Sequence, residues 1–126
     1  MAIYVSTGKL PIGKYLCVRY TRRMLKRNDN GEAAQEFYDK RRQWAEYAST
    51  HPKLTDRGFR LGYWLSRRMN GEDRCCWYSV QQMADAMGWS VRSVQRGLAD
   101  LKAANLIFTV DTKEHGREYY LHAPFF

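Results

Sequence analysis

Four polar side chains within five residues, Arg92, Ser93, Gln95 and Arg96, carry the most specific chemistry in this sequence. A guanidinium can meet both acceptors of a guanine edge, and a primary amide can pair bidentately with adenine, so the set has the chemistry of base-edge recognition. Such a set needs a support that turns all four side chains outward together. A helix supplies it. Val91, Val94, Leu98 and Leu101 recur at three- and four-residue intervals and are expected to face the core, leaving the polar four outward over the first two turns. Ser90 stands where the N-cap of that helix belongs.

The elements on either side follow from equally local signals. Ser79 with Gln82 three residues later is a capping box, and Val80, Met83, Ala84 and Met87 then make one apolar helical face. Gly88 follows where a left-handed residue costs least, and Trp89 completes a tight turn into Ser90. Asn105 is placed to end the second helix, since asparagine tolerates the left-handed conformation. Leu106–Val110 reads as a strand and Glu118–Leu121 as its antiparallel partner. Asp111–Arg117 forms the tip between them, with Gly116 for backbone freedom and Lys113, His115 and Arg117 as its positive groups. Cys75–Tyr78 is expected to add a third short strand, with one cysteine inward and one outward.

Helix, tight turn, helix and hairpin, in that order, are the layout of a winged helix-turn-helix: mainly α with a small β-hairpin wing. In that layout Arg92, Ser93, Gln95 and Arg96 would read bases from the major groove. Ser90 and Lys102 would lie nearer the phosphate backbone, and Lys113, His115 and Arg117 would touch phosphate or the minor groove.

The Ser79 cap, Met83-Ala84-Asp85, Gly88-Trp89-Ser90, Ser93-Val94-Gln95-Arg96, Leu98, Leu101 and Asn105-Leu106-Ile107 together resemble the winged helix-turn-helix domains of GntR-type repressors and of plasmid and phage replication initiators. The resemblance covers residues 54–122 and is more specific for the fold than for either family. Gly97 stands where alanine is commoner and Asn105 where glycine is usual. A glycine inside a helix costs about 1 kcal/mol, and its missing side chain permits a close backbone approach.

Upstream, Pro52 breaks the chain after His51, and Thr55 is placed to cap a helix running to about Met69. Leu54, Gly58, Leu61, Leu65 and Met69 form its inward stripe, with Phe59 and Trp64 beside it. Gly58 and Gly62, one turn apart, suit a close helix crossing. Asn70-Gly71-Glu72-Asp73 is a turn. The division expected is an N-terminal extension over 1–50 and a winged domain over 51–126.

Within the extension, Met1–Gly13 reads as an arm or short strand and Lys14–Arg27 as a helix. Arg19, Arg22, Arg23, Lys26 and Arg27 lie on one face of that helix, and Cys17, Tyr20 and Met24 opposite. A cationic face of this kind suits a DNA backbone, a membrane surface or plain solvent. Asn28–Gly31 reads as a turn, followed by a helix from Glu32 to about Ser49. Ala33, Ala34, Phe37, Trp44 and Ala48 make its apolar stripe, and Glu36–Lys40 and Asp39–Gln43 are its polar pairs. Phe37 and Trp44 are large for a free surface, so they pack on the winged domain or on a second copy in a homodimer.

Composition sets the outer bounds. The chain has 126 residues, 44% of them hydrophobic, with a formal net charge of +8, which favours a polyanionic partner. No apolar run is long enough to span a bilayer, and the three cysteines make no disulfide framework, so a cytoplasmic, prokaryotic or phage- or plasmid-encoded protein is expected. A metal site would require Cys17, Cys75, Cys76, His115 and His122 to converge without any zinc-type spacing, and no cofactor motif is present. His51, His115 and His122 are scattered and have no nucleophile beside them, which argues against an enzyme. Only His122–Phe126 follow the wing, so no ligand-sensing domain is expected there.

The leading expectation is a sequence-specific double-stranded DNA-binding regulator, a small repressor. The alternatives are a plasmid or phage replication-initiation protein, or a winged helix that binds a protein partner through apolar surface around Trp44, Trp89 or Phe125-Phe126.

Overall fold

The computed structural model describes residues 30–126. The expected arm, the helix over Lys14–Arg27 and its cations Arg19, Arg22, Arg23, Lys26 and Arg27 lie outside the described residues. Among the described residues four helices come first, α1 (Asn30–Ser49), α2 (Asp56–Arg67), α3 (Val80–Met87) and α4 (Val91–Ala103). A hairpin of β1 (Ile107–Thr112) and β2 (Gly116–Leu121) follows. Among the described residues no helix is long and apolar enough to cross a membrane.

Helix α1 begins two residues before the expected Glu32 and takes Asn30 and Gly31 into its first turn, where amides need no intrahelical partner. Phe37, Trp44 and Ala48 are buried in the same core as α2, α4 and the hairpin. Trp44 is 0% exposed. Its indole N–H donates to Leu106 O at 2.9 Å and His122 O at 3.1 Å, tying α1 to the two ends of the hairpin. The polar pairs differ from those expected. Asp39 is engaged by Gln35 and Arg42, and Lys40 donates to Phe125 O at 3.1 Å, so Glu36–Lys40 and Asp39–Gln43 are replaced by these partners.

Helix α2 is capped by Thr55, whose hydroxyl accepts from Gly58 N at 3.0 Å. It stops at Arg67 rather than near Met69, and Arg41 of α1 donates to Met69 O at 2.8 Å just beyond its end. Gly58 and Gly62 do form a close crossing. A Cβ on Gly62 would lie 2.8 Å from Leu101 Cδ2 and 2.9 Å from Trp44 Cη2, and one on Gly97 would lie 3.1 Å from Leu61 Cδ2. The turn at Asn70 is held by its side-chain oxygen, which accepts from Glu72 N and Asp73 N. Its Gly71 sits directly on the backbone of Ala34.

The expected third strand is reduced to one bridge, Cys76 paired with Tyr119. Arg74, in the left-handed region at φ 60°, and the Ser79 cap leave only this residue aligned with β2. Both cysteines are buried, at 4% and 3% exposure, so the one-in, one-out expectation fails. Cys76 lies under α2, with Sγ 3.9 Å from Leu65 O, and Cys75 lies against Tyr120 of the hairpin. Burial pushes both thiols up to about 12, away from thiolate chemistry.

The hairpin is longer than its sequence pattern implied. Pairing runs from Ile107–Leu121 to Thr112–Gly116, so Asp111 and Arg117 are cross-strand partners and the tip shrinks to Lys113–His115. Thr112 Oγ1 closes the tip by accepting from His115 N and donating to Gly116 O, both at 3.1 Å, and Gly116 turns with φ 79°.

Replacing Trp44 by phenylalanine keeps most of the buried ring but strips the donor from two buried carbonyls. We expect a loss of about 1–3 kcal/mol, seen in urea unfolding as a lower midpoint with an unchanged slope.

Candidate nucleic-acid interface

The outward face of α4 is built from its caps inward. Ser79 and Gln82 form the full reciprocal capping box on α3, with Gln82 N to Ser79 Oγ at 3.0 Å and Ser79 N to Gln82 Oε1 at 2.8 Å. Gly88 ends α3 at φ 72°, and the amide of Trp89 returns to Ala84 O at 3.0 Å, so the turn closes in two residues. Ser90 then caps α4 by accepting from Ser93 N at 3.1 Å. At the other end Asn105 is left-handed at φ 61°. Its amide bonds Lys102 O and that of Leu106 bonds Leu101 O, the paired bonds of a Schellman motif.

Between these caps Val94, Gly97, Leu98 and Leu101 are buried, and Arg92, Gln95, Arg96, Ala99 and Lys102 are exposed. Val91 departs from expectation. It is 37% exposed, because the first helical residue projects beside the cap rather than toward the core. Ser93 is half-buried and its hydroxyl lies 3.2 Å from that of Ser90, so both serines are engaged in the cap. Lys102 shares the face of Arg92, Gln95 and Ala99 but stands ten residues along, about 15 Å from Arg92 at the helical rise.

What fixes the pitch of this face was not apparent from the sequence. Asp100 of α4 accepts from Thr55 Oγ1 at 2.7 Å and from Arg57 Nη2 at 3.0 Å, while the same Thr55 hydroxyl caps α2. The start of α2 is thereby pinned to the last turn of α4. Arg60 was also missed: its guanidinium lies 5.8 Å over the Trp89 ring, placing a cation beside the turn that precedes α4. Both arrangements join residues more than 25 positions apart, and no local spacing announces them.

The three positive groups expected on the wing have three different placements. Lys113 is exposed at the tip. Arg117 is exposed but paired, Nε to Asp111 Oδ1 at 3.1 Å, and this hydrogen bond raises its pKa. His115 turns back onto the body, where its ring stacks on Trp77 and its Nδ1 lies 2.9 Å from Glu118 Oε2. Among the described residues no three His, Cys, Asp or Glu side chains gather as a metal-ligand group.

Residues 53–107 match a family model described as a helix-turn-helix domain. The match takes in α2, α3 and α4 and ends on the first residue of β1. In this helix-turn-helix, α3 and α4 are the paired helices, and the hairpin that follows gives the winged form. No curated protein and no solved structure matches the chain.

The hydrogen bond from Thr55, and then the bond and charge of Arg57, hold the Asp100 carboxyl below the usual carboxylate range. A carboxyl lowered on folding stabilises the fold fully above its unfolded pKa, near 3.9, and the contribution disappears as pH falls through the folded value. The stability advantage of wild type over Asp100→Asn should therefore be largest near neutrality and shrink toward zero on acidification. Urea unfolding of both proteins across that range measures it.

Proposed function

We propose that this chain is a sequence-specific double-stranded DNA-binding protein, a small transcriptional regulator whose helix α4 enters the major groove. One observation carries the reading: Arg92, Gln95 and Arg96 are exposed together on the first two turns of the second helix of a helix-turn-helix. That is the part of the motif that reaches base edges. Ser90 and Ser93 support the cap and meet the backbone at most, and Arg60 joins Lys102 as a phosphate contact at the margins of α4. Lys113 reaches phosphate from the wing tip, with Arg117 behind it. In this reading residues 1–50 are an extension and 51–126 the DNA-binding domain, with Trp44 holding the extension in place. A homodimer on a two-fold site completes the model.

The protein-module alternative loses part of its surface. Trp44 is fully buried, and Arg60 lies over Trp89. The resemblance to replication initiators remains the second reading, and the arrangement of the bound sites separates the two.

Selection of bound duplexes from a random library, followed by salt titration against scrambled DNA, tests the proposal. A palindrome with half-sites about one helical turn apart supports a dimeric regulator, and direct repeats support an initiator. Arg92→Ala or Arg96→Ala should lose about 1–3 kcal/mol of discrimination between selected and scrambled DNA. If both variants discriminate as well as wild type, α4 is not the reading helix. Lys113→Ala should weaken all sequences alike and lower the slope of log K against log salt by about 0.9.

A further inference from the structure

His115 is the wing residue whose placement least resembles a phosphate contact. Its ring lies 3.9 Å from that of Trp77 and within 7° of parallel. Its Nδ1 is 2.9 Å from Oε2 of Glu118, a carboxylate with 0% exposure. The other oxygen of Glu118 accepts from the Tyr120 hydroxyl at 2.9 Å. A carboxylate removed from water needs donors on its oxygens, and here a ring nitrogen and a phenol supply them.

The hairpin does not need this arrangement in order to form. Its ladder is complete to Thr112–Gly116, Thr112 Oγ1 closes the tip, and Gly116 supplies the positive φ. The segment carrying Trp77 joins β2 through the single Cys76–Tyr119 bridge. The base of the hairpin is fixed by Trp44 and by Ile107, Tyr119 and Leu121 in the core, whereas toward the tip the residues from Asp111 to Arg117 are exposed or half-buried. The His115 ring, seated on Trp77 and bonded to Glu118, adds a second point of attachment close to the tip.

We propose that His115 is a positioning residue, a latch that fixes the angle of the wing and so presents Lys113, two residues away, to the DNA backbone. The latch rests on the DNA-binding reading given above. It assigns His115 to holding the wing, and Lys113 to touching the phosphate. The latch requires Nδ1 of His115 to be the donor in this bond. The Tyr120 hydroxyl and the Cys75 thiol also face this carboxylate.

The test uses the full chain and a fluorescent random-sequence duplex at low salt, because a wing–phosphate contact is blind to sequence. Lys113→Ala should weaken binding roughly three- to tenfold, and His115→Ala should weaken it roughly two- to fivefold with a fall in salt slope of the same sense. The double variant should bind no more weakly than Lys113→Ala alone. His115→Phe, which keeps the stack and removes the hydrogen bond, should fall between wild type and His115→Ala. Independent losses that multiply in the double variant overturn the latch, as does a Lys113→Ala variant that binds like wild type.

A second measurement needs no variant. Nitrogen-15 spectra of the wild-type imidazoles should show Nδ1 of His115 protonated at neutral pH, and an unprotonated Nδ1 overturns the proposal. Failure of the wild-type chain to bind any duplex removes the DNA-binding reading and the latch with it. Duplex binding with additive variants removes the latch alone.

Discussion

Gly62 is the point on which three helices depend. Only a hydrogen at that position lets Leu101 of α4 and Trp44 of α1 approach α2 at once, since a methyl group there would stand under 3 Å from both. The close approach of α4 to α2 follows from this crossing. Leu101 fixes the roll of α4. Trp44, pressed into the same crossing, carries its N–H to the carbonyls at the start and just beyond the end of the hairpin. A single missing side chain therefore couples α1, α4 and the wing. Close packing of this kind resists continuous deformation, so the three elements hold one relative arrangement.

Around that crossing the polar groups do a different job. Thr55 has one hydroxyl and uses it twice, accepting from the amide of Gly58 and donating to Asp100. The cap of one helix thus becomes the tether of another. Ser90 and Ser93 spend their hydroxyls on each other and on the first turn of α4. The longer side chains Arg92, Gln95 and Arg96 are left as the groups able to reach a partner. The division of labour is physical: short polar side chains fall within reach of backbone amides, and long ones extend past them.

Much of this architecture was legible because it rests on local hydrogen bonds. The capping box at Ser79, the left-handed Gly88 and Asn105, and the caps at Thr55 and Ser90 are all set by residues within five positions of one another, and each appears where its spacing placed it. The close crossing at Gly58 and Gly62 was legible for a similar reason, since small residues one turn apart make a flat strip. The misses share the opposite property. Trp44 could have met its own domain or another copy, and only the hairpin carbonyls, more than 60 residues on, decide it. The wing looked like a seven-residue tip because Asp111 and Arg117 are polar. Facing each other across two strands, they extend the ladder as an ion pair. Cys75 and Cys76 alternate as strand residues should, but both sides of that segment are covered, so alternation did not separate inside from outside.

The charges of the wing have a kinetic consequence. From Asp111 to Arg117 two acidic and two basic side chains alternate, so with His115 neutral this hairpin tip has no net charge. Its field fades within a few ångströms. The pull that draws a polyanion in from a distance must arise elsewhere in a chain whose overall charge is +8. In the proposed complex the wing therefore has little say in how fast the partners meet. Its influence falls on how long they stay together, as a short-range clasp that slows departure.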